Sequence, residues 1–182
     1  MDDQQVHLDV VGVRIERPSN QPVILLRGAD PGTEHLHVAI MVGTVEANAV
    51  AKGLRHEQAP RPLTHDLLVD VLRGLGGGVE SVEIGLLNAS TYFGLVTVVE
   101  GRVIDARASD ALAIAVRVQC PVTMDLQTLR AVAVTPRAIQ EGEDPASAEH
   151  PEDSGPISED EIQEFRRFLD GADPEDFREE GG

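Results

Sequence analysis

The stretch "RVIDARASDALAIAVRVQCPVTMD" (residues 102–125) decides the fold, because three elements follow one another in it. Its β-branched start, 102–107, predicts a strand. The apolar run at 110–118 predicts a helix with Ser109 as its N-cap residue. The segment 121–125 predicts a short final strand. A strand, a helix and a second strand in this order indicate a sheet with a helix packed against it.

Upstream of this stretch, strands come in runs instead of alternating with helices. Helices are predicted after the N-cap residue Thr44, to about 54, and from about 65 to 75. The predicted strands are 6–16, 22–28, 36–43, 79–87 and 92–100. This order predicts an α+β fold, with a mixed or antiparallel sheet and helices packed mainly on one side.

Two of these elements carry a more specific expectation. The strand at 36–43 is almost entirely apolar, so we expect it to be buried on both faces. The helix at 65–75 has an apolar stripe that we expect to set it against the sheet. The residues of this stripe are Leu67, Leu68, Val71, Leu72 and Leu75.

Negative charge is concentrated at the C-terminal end of the chain. The sequence has 15 Lys and Arg against 32 Asp and Glu, a net charge of −17. Residues 136–182 contribute −12 of this, with 4 Lys and Arg against 16 Asp and Glu. We therefore predict a globular domain at 1–135, an acidic disordered linker at 136–156 and an acidic tail at 157–182.

One segment of the tail has helical periodicity. The sequence "SEDEIQEFRRFLD" (158–170) places Ile162, Phe165, Phe168 and Leu169 at helical spacing. Ser158, with Glu161 three residues later, has the spacing of a capping box. This short amphipathic helix is expected to dock on its own domain, on a neighbouring subunit or on a protein partner, or else to remain solvated.

Three further features of the sequence indicate the cellular compartment of the protein. Cys120 is the single cysteine, so no intramolecular disulfide can form, and we expect it to be buried and inert. The first ten residues lack the apolar core of a signal peptide. No apolar run approaches the roughly 20 residues that span a bilayer. The expectation is a cytoplasmic protein without a membrane partner.

Three sequence blocks resemble the bifunctional nuclease family. They are "VGTVEANAVAKGL" (42–54), "PRPLTHDLLVDVLRGLGGGVESVEI" (60–84) and "VIDARASDALAIAVRVQCPV" (103–122). The resemblance covers about residues 6–132, with Ala108 at a position where the family usually has proline. It implies an α+β fold, self-association into a homo-oligomer and cleavage of both DNA and RNA.

Phosphodiester cleavage needs an activated nucleophile and stabilisation of the charge that develops on phosphate. In "DARASD" (105–110), Asp105 and Arg107 lie on one face of a strand, whereas Ser109 and Asp110 lie at a helix N-terminus that favours anions. A phosphate could bind between Arg107 and this helix start, with Ser109 as a second substrate-binding residue. Structural roles would account for the same residues, with Asp105 paired to Arg107, Ser109 as a cap and Asp110 complementing the helix dipole.

The segment Thr64-His65-Asp66 holds the other candidate. Thr64 suits an N-cap and Asp66 suits the first helical turn. Neighbouring side chains on a helix diverge by about 100°, so His65 is not expected to pair with Asp66. It remains a candidate if a carboxylate from elsewhere, such as Glu46 or Asp105, comes close to it.

The sequence therefore predicts a nuclease whose catalytic residues are His65, Asp105, Arg107 and Asp110. Glu46 and Asp105 are the predicted ligands of Mg²⁺ or Mn²⁺, and no organic cofactor is predicted. The alternative is a non-enzymatic oligomeric interaction module whose shared blocks maintain the fold. The net charge of −17 favours this alternative, because it opposes broad adsorption of nucleic acid.

Overall fold

The computed structural model describes residues 4–16, 19–88 and 90–134. In chain order its elements are β1 (Gln5–Glu16), β2 (Gln21–Gly28), β3 (His37–Met41), α1 (Thr44–Leu54), α2 (Thr64–Gly74), β4 (Val79–Leu86), β5 (Tyr92–Val98), a 3₁₀ turn (Val99–Gly101), β6 (Arg102–Arg107), α3 (Ala108–Val118), β7 (Val122–Asp125) and α4 (Leu126–Val132). The linker at 136–156 and the helix expected at 158–170 lie outside the described residues and stay predictions.

The strands form one mixed sheet in the order β3-β2-β1-β7-β4-β5-β6. Strands β7 and β4 run parallel, and the other neighbours in this order are antiparallel. Strand β6 is an edge strand, yet β7, which follows it after α3, enters the middle of the sheet between β1 and β4. The stretch 102–125 therefore joins the two antiparallel halves of the sheet, and the predicted α+β fold is confirmed.

Close packing of α3 depends on small residues. Six consecutive residues in it are nine-tenths or more buried, and four of the helix's residues are alanine. A Cβ at Gly94 on β5 would collide with the Cβ of Ala111, and a Cβ at Gly53 on α1 would lie 2.5 Å from Val116 Cγ2. Strand β5 and helix α1 thus approach α3 more closely than a larger side chain would allow.

Two burial predictions are wrong. Strand β3 lies at the edge of the sheet, and Met41 at its end is 59% exposed. Strand β2 is the one buried on both faces, since Val23, Ile24, Leu25 and Leu26 are at most 9% exposed. Cys120 is half-buried. An apolar run does not report where its strand lies in the sheet, because pairing order is set by the whole chain.

Helix α2 also differs from its prediction. Its one buried residue is Val69, whereas Leu67, Val71 and Leu75 of the predicted stripe are 55%, 45% and 82% exposed. A groove of about 460 Å³ follows the end of this helix and is lined by Leu72, Leu75, Val103 and Ile104, among others. We use the name α2–β6 surface for the exposed apolar residues at α2 and its C-cap together with two of β6, namely Leu67, Leu68, Val71, Leu75, Val103 and Ile104.

The helix starts depart from the predicted caps. The N-cap residues are Gly43, Leu63 and Arg107, so Thr44 and Thr64 are first helical residues and Ser109 is the second residue of α3. Each of these helices instead carries a carboxylate at its third position, namely Glu46, Asp66 and Asp110. Helix α4, which was not predicted, is capped by Asp125, whose Oδ1 accepts the Thr128 N–H at 2.8 Å. No described helix is long and apolar enough to cross a membrane.

Candidate functional site

Arg107 connects the starts of two helices. Its Nε and Nη2 donate to the two oxygens of Asp110 at 2.6 and 3.0 Å, and its Nη1 donates to Glu46 Oε1 at 3.0 Å. A guanidinium can make this fork because its donors lie in one plane. The edge strand β6 thus delivers, at its last residue, a cation that binds the third residue of both α1 and α3.

His65 joins this group through Asp110. Its Nε2 lies 3.2 Å from Asp110 Oδ1, and its side chain is 17% exposed. An ionised carboxylate only accepts hydrogen bonds, so Nε2 carries the proton, and a neutral His65 keeps a lone pair on Nδ1. The partner is neither Asp66 nor the Glu46 or Asp105 suggested by the sequence.

Asp66 has a different partner. Its Oδ1 accepts from Arg117 Nε at 2.5 Å, and its Oδ2 accepts the Leu63 N–H at 2.9 Å. Arg117 also donates to the carbonyl oxygens of Ala49 and Ala113 at 2.9 and 2.8 Å. This arginine therefore ties α1, α2 and α3 together and holds the helix that carries His65.

Sequence reasoning missed Arg117. The signal that could have found it is an arginine in the otherwise apolar run "ALAIAVRV" (111–118). A side chain of this kind is rarely buried without a charged partner. Its side chain is 9% exposed in the structure.

Arginine contacts keep the carboxylates of Asp66 and Asp110 ionised. Burial alone would raise the pKa of Asp110, but the hydrogen bonds from Arg107 and His65 outweigh it and hold the pKa below its usual range. The same balance, with Arg117 and the Leu63 N–H as donors, lowers the pKa of Asp66. The Asp110 and Glu46 contacts raise the pKa of Arg107. With His65 neutral, Glu46, Arg107 and Asp110 together carry one net negative charge.

A pocket of about 320 Å³ lies beside Arg107. We call it the Arg107 pocket. Its wall includes Gly43 and Glu46 at the start of α1, Ser109 at the start of α3, and Tyr92 at the start of β5. Two helix N-termini therefore meet at one cavity. Neither is closed by an N-cap side chain, and unpaired N–H groups at helix starts attract anions.

Ser109 also lines the pocket. The residue is 7% exposed, and its Oγ forms no hydrogen bond within the described part of the chain. Among these residues no fully buried side-chain oxygen or nitrogen lacks a partner, so the Ser109 Oγ is not fully buried. Tyr92 lines the same cavity, and burial raises the pKa of its hydroxyl.

Asp105 stays apart from this group. It lies on β6 with an exposed side chain, and within residues 4–16, 19–88 and 90–134 it makes no hydrogen bond or ion pair to another side chain. The fold thus brings together Glu46, His65, Arg107 and Asp110. Of the residues predicted to be catalytic or to bind a metal, it leaves out Asp105.

The carboxylates do not form a ready ligand set for a cation. Glu46 and Asp110 are already engaged by Arg107. The described residues contain no group of three or more His, Cys, Asp or Glu side chains arranged to hold a metal ion. The predicted Mg²⁺ or Mn²⁺ therefore does not fit the residues as they stand.

The fold and the site define a small α+β domain with an acid–arginine–histidine cluster beside a polar pocket. The family model for the bifunctional nuclease domain matches residues 24–137. The chain belongs to this family. It is also 36% identical over 170 residues to two uncharacterized proteins, one from each of two strains of Mycobacterium tuberculosis, a match that covers 93% of this chain and 96% of theirs.

Proposed function

We propose that this protein is a nuclease that hydrolyses phosphodiester bonds in DNA and RNA. The family supports the reaction class. The single observation that carries the proposal is the convergence of Glu46, His65, Arg107 and Asp110 from separate elements. Glu46 and Arg107 of this group line a pocket at two helix starts, and His65 is linked to Arg107 through Asp110. As the composition predicts, the protein would act in the cytoplasm.

The proposed roles follow from these contacts. A phosphate in the Arg107 pocket would accept hydrogen bonds from Arg107 and the Ser109 Oγ, next to the N-termini of α1 and α3. Arg107 would then stabilise the charge that develops on the phosphate oxygens. Glu46 and Asp110 hold the guanidinium in place.

His65 is the proposed general base. Asp110 fixes the tautomer in which Nδ1 can take a proton from the attacking water. The water oxygen bonds to phosphorus and the bond from phosphorus to the leaving oxygen breaks. The leaving oxygen then takes up a proton from His65 or from solvent.

The experiment is a nuclease assay of highly purified protein on end-labelled single-stranded DNA and RNA, with Mg²⁺, Mn²⁺ or EDTA. We expect His65→Gln to lower the rate about 10²–10⁴-fold and Arg107→Ala about 10²–10³-fold. The matched control for Arg107 is Arg102→Ala on the same strand, where the pair with Glu100 is exposed. The control for His65 is His7→Gln, since His7 Nδ1 also contacts an aspartate, Asp30, at 3.1 Å. Activity that survives both site substitutions would point to a contaminant or another site.

A second candidate function is a non-enzymatic homo-oligomeric interaction module. The exposed α2–β6 surface favours it, because large apolar residues grouped on a surface commonly mark contact sites between proteins. The two carboxylates that Arg107 already binds also agree with a structural role for the cluster. Here we expect Leu75→Ser to lower the oligomer mass in light scattering. Leu87→Ser, at a position 69% exposed, is the control and should keep the mass.

A further inference from the structure

We infer that the Arg107 pocket binds one nucleotide through a terminal phosphate monoester, so that the protein acts on strand ends. The inference rests on the proposed function for its catalytic half. Binding of a nucleotide concerns the Arg107 pocket alone, and its affinity can be measured without any reaction. The ligand class is therefore a nucleoside monophosphate, either free or as the last residue of a strand.

The size of the pocket limits what can enter. At about 320 Å³ it lies at the small end of the roughly 300–1,000 Å³ typical of small-molecule sites. One nucleotide is a ligand of this scale. A strand that passes through would need a groove that continues on both sides of the bound residue.

The charged side chains around the pocket also favour a single nucleotide over a strand that passes through. A polynucleotide backbone is normally followed by a series of Lys and Arg side chains, because each phosphate carries a negative charge. Here most described cations are already paired with carboxylates, and only Arg107 lines the pocket. The paired cations are Arg27, Lys52, Arg55, Arg73, Arg102, Arg107 and Arg117. A single terminal phosphate matches this supply of charge better than several internal ones.

Several groups around the pocket are suited to a phosphate. Ser109 lines the pocket and is 7% exposed, and its Oγ has no partner within the described residues and is not fully buried. The helix starts of α1 and α3 have no N-cap side chain here. By contrast, carboxylates occupy the starts of the helices elsewhere, since Asp66 binds the Leu63 N–H and Asp125 binds the Thr128 N–H.

Two further lining residues are suited to a nucleoside. Tyr92, the only tyrosine of the sequence, is half-buried and lines the pocket. Met41 also lines it and is 59% exposed. Bases stack on aromatic rings irrespective of sequence, and a thioether adapts to a planar ligand. The pocket thus combines donors for an anion with a surface for a base.

Glu46 provides a test that distinguishes anion binding from general damage to the site. Its carboxylate lines the pocket and shares Arg107 with any bound phosphate. Removing this charge without changing the shape of the side chain should therefore strengthen binding of an anion. Glu46→Gln is expected to bind a nucleoside monophosphate several-fold more tightly than the unmodified protein, the opposite of what a substitution that merely damages the site would do.

The binding experiment titrates the full chain with adenosine 5′-monophosphate, inorganic phosphate and adenosine by calorimetry. We expect the monophosphate to bind at least ten-fold more tightly than either fragment. Ser109→Ala should weaken it roughly ten-fold, and Arg107→Ala should abolish it. Ser81→Ala, on β4 away from the pocket, is the control. Equal affinity for all three ligands, or weaker binding by Glu46→Gln, would overturn the inference.

The activity arm compares linear and covalently closed circular single-stranded DNA of one sequence. Hydrolysis of the linear form alone, with mononucleotide products, supports both the inference and the proposed function. Equal hydrolysis of both forms contradicts end recognition while the nuclease proposal holds. Hydrolysis of neither, with the expected binding pattern intact, overturns the nuclease proposal and leaves a nucleotide-binding protein.

Discussion

Arg117 Nε donates to Asp66 Oδ1 at 2.5 Å, across 51 residues of sequence, and this ion pair holds α2 against α3. The side chain of Arg117 is 9% exposed and that of Asp66 is 33% exposed. His65 precedes Asp66 directly, so the contact of His65 with Asp110 depends on an ion pair in which it takes no part. Removal of Arg117 therefore tests the framework of the site separately from its chemistry.

We expect Arg117→Ala to lower the free energy of unfolding by about 2–4 kcal/mol, somewhat less than a fully buried pair, because water reaches part of Asp66. Urea unfolding measures this change. The control is Arg73→Ala, since the exposed Arg73–Asp70 pair spans 3.9 Å and such pairs contribute less than about 1 kcal/mol. Equal effects of the two substitutions would show that Arg117 does not hold the helices together.

Arg107→Ala should separate stability from function. The Arg107 side chain is 67% exposed, so its ion pairs contribute little to folding, about 1 kcal/mol or less each. We expect a melting temperature within a few degrees of the unmodified protein, together with loss of phosphate binding. Calorimetric melting and the binding titration give the two readings. A large loss of stability would favour the structural interpretation of the cluster.

Acid should destabilise the domain through Asp66 and Asp110. The pKa of each carboxyl is lowered below its ordinary value of 3.8, so the unfolded chain binds more protons than the folded one. The stabilisation is fully present above the unfolded pKa and is lost as the pH falls through the folded pKa values, below about pH 4. Urea unfolding from pH 2.5 to 7 measures this slope. The double variant Asp66→Asn with Asp110→Asn should have a flatter profile in that window, and an unchanged slope would contradict the assignment.

Gly94→Ala should destabilise the contact between β5 and α3. A Cβ there would collide with the Cβ of Ala111, which is attached to the helix backbone and cannot rotate away. We expect a loss of about 1–3 kcal/mol in the free energy of unfolding. Gly74→Ala is the control, because nothing lies within 4 Å of a Cβ at that helical position. It should be neutral or stabilise the protein by up to about 1 kcal/mol.

Most elements of the fold could be predicted because they depend on neighbours in sequence. The β-branched residues in 102–107 and the apolar run over 110–118 are local patterns, and the structure has β6 and α3 there. The cap predictions at Thr44 and Ser109 were wrong because the helices begin earlier, with Gly43 and Arg107 as N-cap residues and no side chain as a cap. The carboxylates at their third positions, Glu46 and Asp110, bind Arg107 instead, and this contact depends on the tertiary structure.

The sequence by itself determined the strand and helix order, the α+β class and the residue types that could act on phosphate. Only the tertiary structure decided that β3 is an edge strand, that the apolar stripe of α2 is exposed, and that His65 meets Asp110 while Asp66 meets Arg117. Local periodicity predicts on which face of its own helix or strand a side chain lies. Which side chains then meet depends on the crossing of α3 from the edge of the sheet to its centre, and no pattern within a single element contains that crossing.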